Sequence, residues 1–294
     1  MDKPVIGFIG FGEASYSISS GLVGEGVTGI KAYDVMTSDP KLGVKISKRA
    51  KKLQVDLRDN LQSLIEDSDI IFCATSAKYA VSIAKEITPF LRENQIYVDI
   101  NAASPMAMKE IATLLEATPA YFIDAAVMEP IPPYKHKVPM LLSGKGSKEL
   151  EKITRRFGMN MKYISDEAGA SSAIKMVRSV FIKGFTMLML ETLSAAEKFN
   201  VSKEILASIS RTLMERPLGI TTNLLLTRSV KHANRRVAEM QEVLKTLQAI
   251  NIDDTMSQAT EKKYQMLTDR RIKEKFEKED PKDFSELITA LGTP

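Results

Sequence analysis

Short apolar runs alternate with amphipathic stretches through the first half of the chain. Runs of strand character lie at residues 5–9, 30–33, 70–74, 96–100, 121–124 and 140–143. Between most of them, residues 14–23, 61–66, 80–91 and 107–116 repeat apolar positions at helical spacing. Strands apolar on both faces that alternate with helices predict a parallel sheet covered by helices on each side. Asp34, Thr75 and Asn101 follow three of the strands, at the end where open α/β sheets bind ligands.

The pattern changes after Tyr163. Residues 167–200 read as one long helix, and further helices are predicted at 203–214, 218–226, 230–249 and 254–267. The second half is therefore expected to be all-α, giving domains 1–165 and 166–294. Small residues from Gly169 to Ala173 would let a neighbour or ligand approach the start of the long helix. Residues 269–283 are densely charged and read as a solvated helix or mobile tail.

Composition narrows the classes. A chain of 294 residues, 44% hydrophobic and 27% charged, exceeds one comfortable core and has the apolar content to fill two. A net charge of +4 without a basic arm gives no reason to expect nucleic-acid binding. One cysteine, Cys73, excludes a disulfide framework, and two histidines make a metal site unexpected. Cys73 itself reads as a core residue. Without a bilayer-length apolar run or a signal-peptide layout, no membrane contact and a cytoplasmic location are expected.

The first strand runs into Gly10-Phe-Gly12-Glu13-Ala14-Ser15. Gly10 permits a tight turn, and Gly12 lets backbone approach a pyrophosphate. The helix start at Glu13, Ala14 and Ser15 supplies amides and a positive dipole. Asp34, about 20 residues on, can accept from an adenosine ribose diol and would repel a 2′-phosphate. The expected cofactor is NAD, with NADP as the alternative, because Lys31 and Lys41 lie near.

An acid/base group is then needed. His136 sits in a Pro-rich turn and His232 at a helix start, and both read as surface residues. Lys175 and Ser179, four apart on the long helix, share a face. A lysine amine partly desolvated there can serve as general acid or base. Arg235 and Glu239, also four apart, suit either a surface ion pair or an arginine near a ligand. Met176, Met187, Met189, Met214 and Met240 read as core packing.

At these residues the chain resembles the β-hydroxyacid dehydrogenase superfamily, which includes 3-hydroxyisobutyrate and 6-phosphogluconate dehydrogenases. Gly7-Phe-Ile-Gly-Phe-Gly, Asp124-Ala-Ala-Val, Gly169-x5-Lys175 and Arg235-Arg236-x-x-Glu239-Met240 carry the resemblance over nearly the whole chain. It implies a Rossmann doubly wound sheet followed by an all-helical substrate and dimerisation domain. It further implies hydride transfer between a nicotinamide and a hydroxyl or carbonyl substrate. Lys175 falls on the family's catalytic lysine, and Ser179 replaces its usual asparagine. Thr75, Ser76 and Asn101 fall where the family's loops pass the cofactor. Val127, Met128 and Glu129 replace the stretch that cradles a substrate carboxylate, so a less anionic or even cationic substrate is expected. Arg178 or Lys183 could restore an anion site. Imine reduction and non-catalytic dinucleotide sensing are the alternative functions. The apolar long helix and the resemblance together imply a homodimer through the helical domain.

Overall fold

The computed structural model describes residues 3–276 and 279–292. The chain forms two compact units, residues 1–179 and 180–294.

In the first unit, β1 (Ile6–Ile9), α1 (Glu13–Gly24), β2 (Lys31–Tyr33), α2 (Leu42–Leu53) and β3 (Asp56–Leu57) come first. They are followed by α3 (Leu61–Glu66), β4 (Ile70–Cys73), α4 (Ala80–Ile87), β5 (Ile96–Asp99) and α5 (Pro105–Leu115). The unit continues with β6 (Tyr121–Val127), α6 (Ile131–Tyr134), β7 (Met140–Ser143), α7 (Ser147–Arg155) and β8 (Met161–Ser165). Among the described residues these strands form one sheet, in the order β3-β2-β1-β4-β5-β6-β7-β8. Helix starts carry local capping signals: Asn60 Oδ1 accepts from the Ser63 N–H, and Ser104 Oγ from the Ala107 N–H.

Strand alternation splits the core into two layers. Ile70 and Phe72 of β4 face a cluster with Phe8, Ile18 and Leu22, while Ile71 and Cys73 face one with Leu64, Ala84 and Ile111. Phe8 and Phe72 stack at 5.4 Å in the first layer, Tyr97 and Phe122 at 5.9 Å in the second. Cys73 is buried, as expected.

The sheet is not wholly parallel, as the strand–helix alternation had implied. β6 and β7 pair antiparallel, with Asp124 opposite Ser143 and Val127 opposite Met140. The intervening segment contains Pro130, Pro132, Pro133 and Pro139, which prevent the long crossover helix a parallel return needs. α2, β3, α7 and β8 are also additional to the sequence reading.

The second unit is helical, continuing α8 (Ala170–Lys198) with α9 (Ser202–Met214), α10 (Leu218–Lys231), α11 (Ala233–Ala249), α12 (Thr255–Asp269) and α13 (Phe284–Leu291). Glu191 is buried and accepts from the N–H groups of Met256 and Ser257 and from the Ser257 hydroxyl, fastening α12 to α8.

Three expectations change here. The break between α10 and α11 is at His232, two residues beyond the predicted helix start at Val230. The charged segment is no free tail: Ile272 is buried with Val230 and Leu287, and α13 follows, capped by Asp283. Its residues 277–278 lie outside the described residues. None of the five methionines named above is buried, and Met187 and Met214 are exposed. Met176, Met189 and Met240 are half-buried. No helix of the described residues is long and apolar enough to cross a membrane.

Candidate functional site

The order β3-β2-β1-β4 places the switch point of the sheet between β1 and β4. There the connections leave in opposite directions and open a crevice at the carboxyl ends. Gly10 closes the turn after β1 at φ +83°, and a Cβ there would lie 2.6 Å from the Ala74 carbonyl oxygen. This turn and the β4 loop therefore touch. Gly12 is the N-terminal cap of α1 and offers no side-chain acceptor to its first amides. Among the described residues, apart from its chain neighbours, no heavy atom lies within 4 Å of where a Gly12 Cβ would sit. Open space before uncapped amides is the arrangement a pyrophosphate fits.

Asp34 faces the same turn. Its Oδ2 accepts from the Phe11 N–H at 2.7 Å and its Oδ1 from the Met36 N–H at 2.9 Å. A carboxylate has further lone pairs, so it retains capacity for a ribose hydroxyl. Glu13, Thr75 and Ser76 are exposed, and Ala14 is half-buried. Ser15 is fully buried, and its hydroxyl donates to the Gly10 carbonyl at 2.5 Å. That hydroxyl pins the turn and is not offered to a phosphate.

Asn101 is likewise committed inward. Its Oδ1 accepts from the Thr75 N–H at 2.7 Å, and its Nδ2 donates to Asp99 Oδ2 at 3.1 Å and Cys73 Sγ at 3.3 Å. It joins the β4 and β5 loops, and its buried amide has no donor to spare for the substrate. Asp99 beneath it is pushed up to about 6 by burial, against the hydrogen bonds from Asn101. Burial pushes the Cys73 thiol up to about 12, and the Asp99 charge acts in the same direction.

The segment carrying Lys175 is held by β6 and β7. Asp124 Oδ2 accepts from the N–H groups of Gly169 (3.1 Å) and Ser172 (3.0 Å) and from the Ser143 hydroxyl (3.1 Å). Asp124 Oδ1 accepts from the Ser172 hydroxyl at 2.7 Å, and the Ser143 Oγ accepts from the Ser171 N–H at 3.0 Å. Gly169, at φ +92°, lets α8 approach the Pro105 carbonyl, 2.8 Å from where a Cβ would be. These bonds explain why the first turns of α8 belong to the N-terminal unit, whose limit is Ser179 rather than the expected residue 165. Lys175 and Ser179 are both half-buried on this segment.

Two turns into α8, Arg178 Nη1 donates to the Met128 carbonyl at 3.3 Å and Nη2 meets Glu129 Oε1 at 3.2 Å. Arg178 is thus engaged by Glu129 and is not a free anion site. Val127 is buried in the core and leaves only its backbone near this end. Arg235 and Glu239 form an exposed ion pair at 3.1 Å, worth well under 1 kcal/mol.

His136 corrects the sequence reading outright. It is buried against α1, and a Cβ on Gly21 would fall on its Nδ1. Its Nε2 lies 3.5 Å from Glu25 Oε1. Burial lowers its pKa, with Glu25 opposing. The apolar periodicity of α1 gives no sign that Gly21 leaves room for an imidazole.

Comparison with known proteins agrees with this architecture. Residues 5–103 match the family described as NADP oxidoreductase, coenzyme F420-dependent, and residues 196–267 match a domain of unknown function, DUF1932. The chain is 30% identical over 255 residues to the uncharacterized 28.5 kDa protein in the 7S RNA 5′ region of Methanothermus fervidus, covering 87% of this chain and 95% of that one. A solved conserved protein of unknown function, described as structurally similar to 3-hydroxyacid dehydrogenases, is 28% identical. It superposes with a TM-score of 0.60 over 91% of this chain and 98% of its own. The imine reductase of Myxococcus stipitatus shares the fold at 18% identity (V8 variant, with NAD+, TM-score 0.72, 99% of both chains). The same enzyme with NADP+ gives 17% identity and a TM-score of 0.73, over 98% of this chain and all of its own. Residues 5–103 thus form a dinucleotide-binding oxidoreductase domain, and the chain belongs to the family of the Methanothermus fervidus protein, within the β-hydroxyacid dehydrogenase-like superfamily.

Proposed function

We propose that this protein is an NAD(P)-dependent oxidoreductase that exchanges a hydride with a hydroxyl or carbonyl substrate, with Lys175 as the general acid/base. The observation that carries the reading is the Gly10–Gly12 turn, open before the uncapped start of α1 and held by Asp34. The amides of Glu13 and Ala14 would take the pyrophosphate, Asp34 the ribose, and Thr75 and Ser76 the exposed flank. The Asp34 carboxylate favours NAD over NADP, because a 2′-phosphate would meet a negative charge. A nicotinamide bound here supplies or accepts the hydride.

Lys175 would hold or release the hydroxyl proton at Nζ. Ser179, one turn further, would orient the same oxygen. Met128 and Glu129 would border the substrate. With Arg178 across Glu129, that border carries no unopposed charge, so the substrate group meeting it is uncharged. The same pairing supports hydroxyl or carbonyl chemistry over imine reduction, because an iminium would be served by a free Glu129 charge. Large apolar side chains exposed on α8, among them Val180, Phe181 and Leu190, support pairing of two copies through the helical unit.

The test is turnover on a panel of uncharged alcohols, aldehydes and cyclic imines with NADH and NADPH. Lys175→Ala should lower turnover by about 10²–10⁴-fold with cofactor binding unchanged. Unchanged turnover would remove Lys175 from the mechanism, and cofactor binding without turnover on any substrate would favour the sensor reading. Light scattering in solution decides the dimer.

A further inference from the structure

We propose that Asp124 is a positioning residue that sets the register of Lys175; this rests on the reading of Lys175 given above. An α-helix leaves its first amides without partners, and a local Ser, Thr, Asp or Asn normally takes one of them. The start of α8 uses no such residue. The amides of Gly169 and Ser172 go to Asp124, and that of Ser171 to Ser143, all from strands laid down some 28 to 48 residues earlier. The Ser172 hydroxyl adds a fourth bond to the Asp124 carboxylate, whose other partners are the two amides and the Ser143 hydroxyl.

Asp124 is 1% exposed. Burying a charged group costs several kcal/mol unless hydrogen bonds replace its water, and four donors converge on it here. An apolar residue would fill the same volume without that cost. What the carboxylate adds is a rigid attachment of one helix turn to one point on the sheet.

Lys175 lies three and four residues beyond Ser172 and Ser171, on the face those serines occupy. A slip of one residue would turn its side chain by about 100° around the axis. The Asp124 anchor and the Pro105 contact at Gly169 forbid that slip. The anchor acts beside Asp99, its register partner on β5, so the Lys175 turn is referenced to the strand end whose loop meets Thr75.

The test reads Lys175 directly. Trace labelling with acetic anhydride from pH 6 to 10, followed by peptide mass spectrometry, gives the rate at each lysine of the full-length protein. Lys48 and Lys85, on α2 and α4, serve as internal controls. Asp124→Ala and Ser172→Ala should each raise labelling of Lys175 at least about threefold and change its pH profile, with the control lysines within twofold. Asp124→Asn should restore most of the wild-type profile, since the Ser172 hydroxyl can reverse and accept from the new amide. Where Asp124→Ala fails to fold, Ser172→Ala decides, because it removes one bond of four. A Lys175 profile unchanged in Ser172→Ala and in any folded Asp124 variant overturns the proposal. The result is independent of turnover in Lys175→Ala: an unchanged turnover there with altered labelling here would reject Lys175 as catalyst and leave the anchor standing. Once a substrate is in hand, kcat should fall in the Ala variants with KM and NADH affinity within twofold.

Discussion

The Asp34 carboxylate accepts from the Phe11 amide at 2.7 Å, so the acidic residue after β2 holds the Gly10–Gly12 turn in addition to its proposed contact with the ribose. Asp34→Asn should therefore act on both. NADH affinity should fall by about 10- to 100-fold, the value of a charge-assisted hydrogen bond, while NADPH should lose less because the repulsion is removed. Fluorescence titration with each cofactor measures the ratio. An equal loss for both would mean that Asp34 supports only the turn.

Gly21 is glycine because His136 fills the space beside α1. Gly21→Ala should cost about 1–3 kcal/mol, the usual range for overpacking a filled core. His136→Ala in the same chain should recover part of that loss, since the two substitutions share one contact. Urea midpoints of the two single variants and the double variant complete the cycle.

Asp99 gives a pH dependence of defined sign. Its carboxyl is held up to about 6 against an ordinary 3.8, so between those values the folded state binds more protons than the unfolded. The neutral form is the one the fold favours. Its contribution is greatest below about pH 4 and is lost as pH rises through about 6. The difference in stability between wild type and Asp99→Asn should move against wild type across that window by up to about 3 kcal/mol. It should be flat above about pH 7. Chemical denaturation of both proteins from pH 4 to 8 tests it.

Cys73, buried and with its thiol pushed up to about 12, should be inert to iodoacetamide at pH 8 in the native state. It should react fully once denaturant unfolds the domain. Native labelling at a rate near that of free cysteine would show that the β4 end opens readily.

The turn after β1, the acid after β2 and the alternation of strands and helices were readable because each is a local pattern imposed by backbone geometry. Lys175 could be singled out because four-residue spacing puts it and Ser179 on one face. The return of β7 was hidden, since Met140–Ser143 is apolar enough to pair in either direction. Only the prolines before it hint that no crossover helix is formed. The cap of α8 was also beyond local reading, because its acceptor lies 45 residues upstream of the Gly169 amide. Arg178 and Glu129 looked like separate charges for the same reason. The inward use of Ser15 and Asn101 depends on side-chain direction, which residue type does not specify.

The strand order has a consequence for how the molecule comes into being. β2 and β3 add outward on one side of β1, and β4 through β8 then add outward, one after another, on the other. No strand has to be threaded between two already joined. A chain emerging from the ribosome can thus zip its sheet in order of synthesis. The donors at Gly169, Ser171 and Ser172 meet Asp124 and Ser143 only after β8 has emerged. Assembly therefore ends where the chemistry is proposed to begin, and the lysine-bearing turn is the last part of the N-terminal unit to lock.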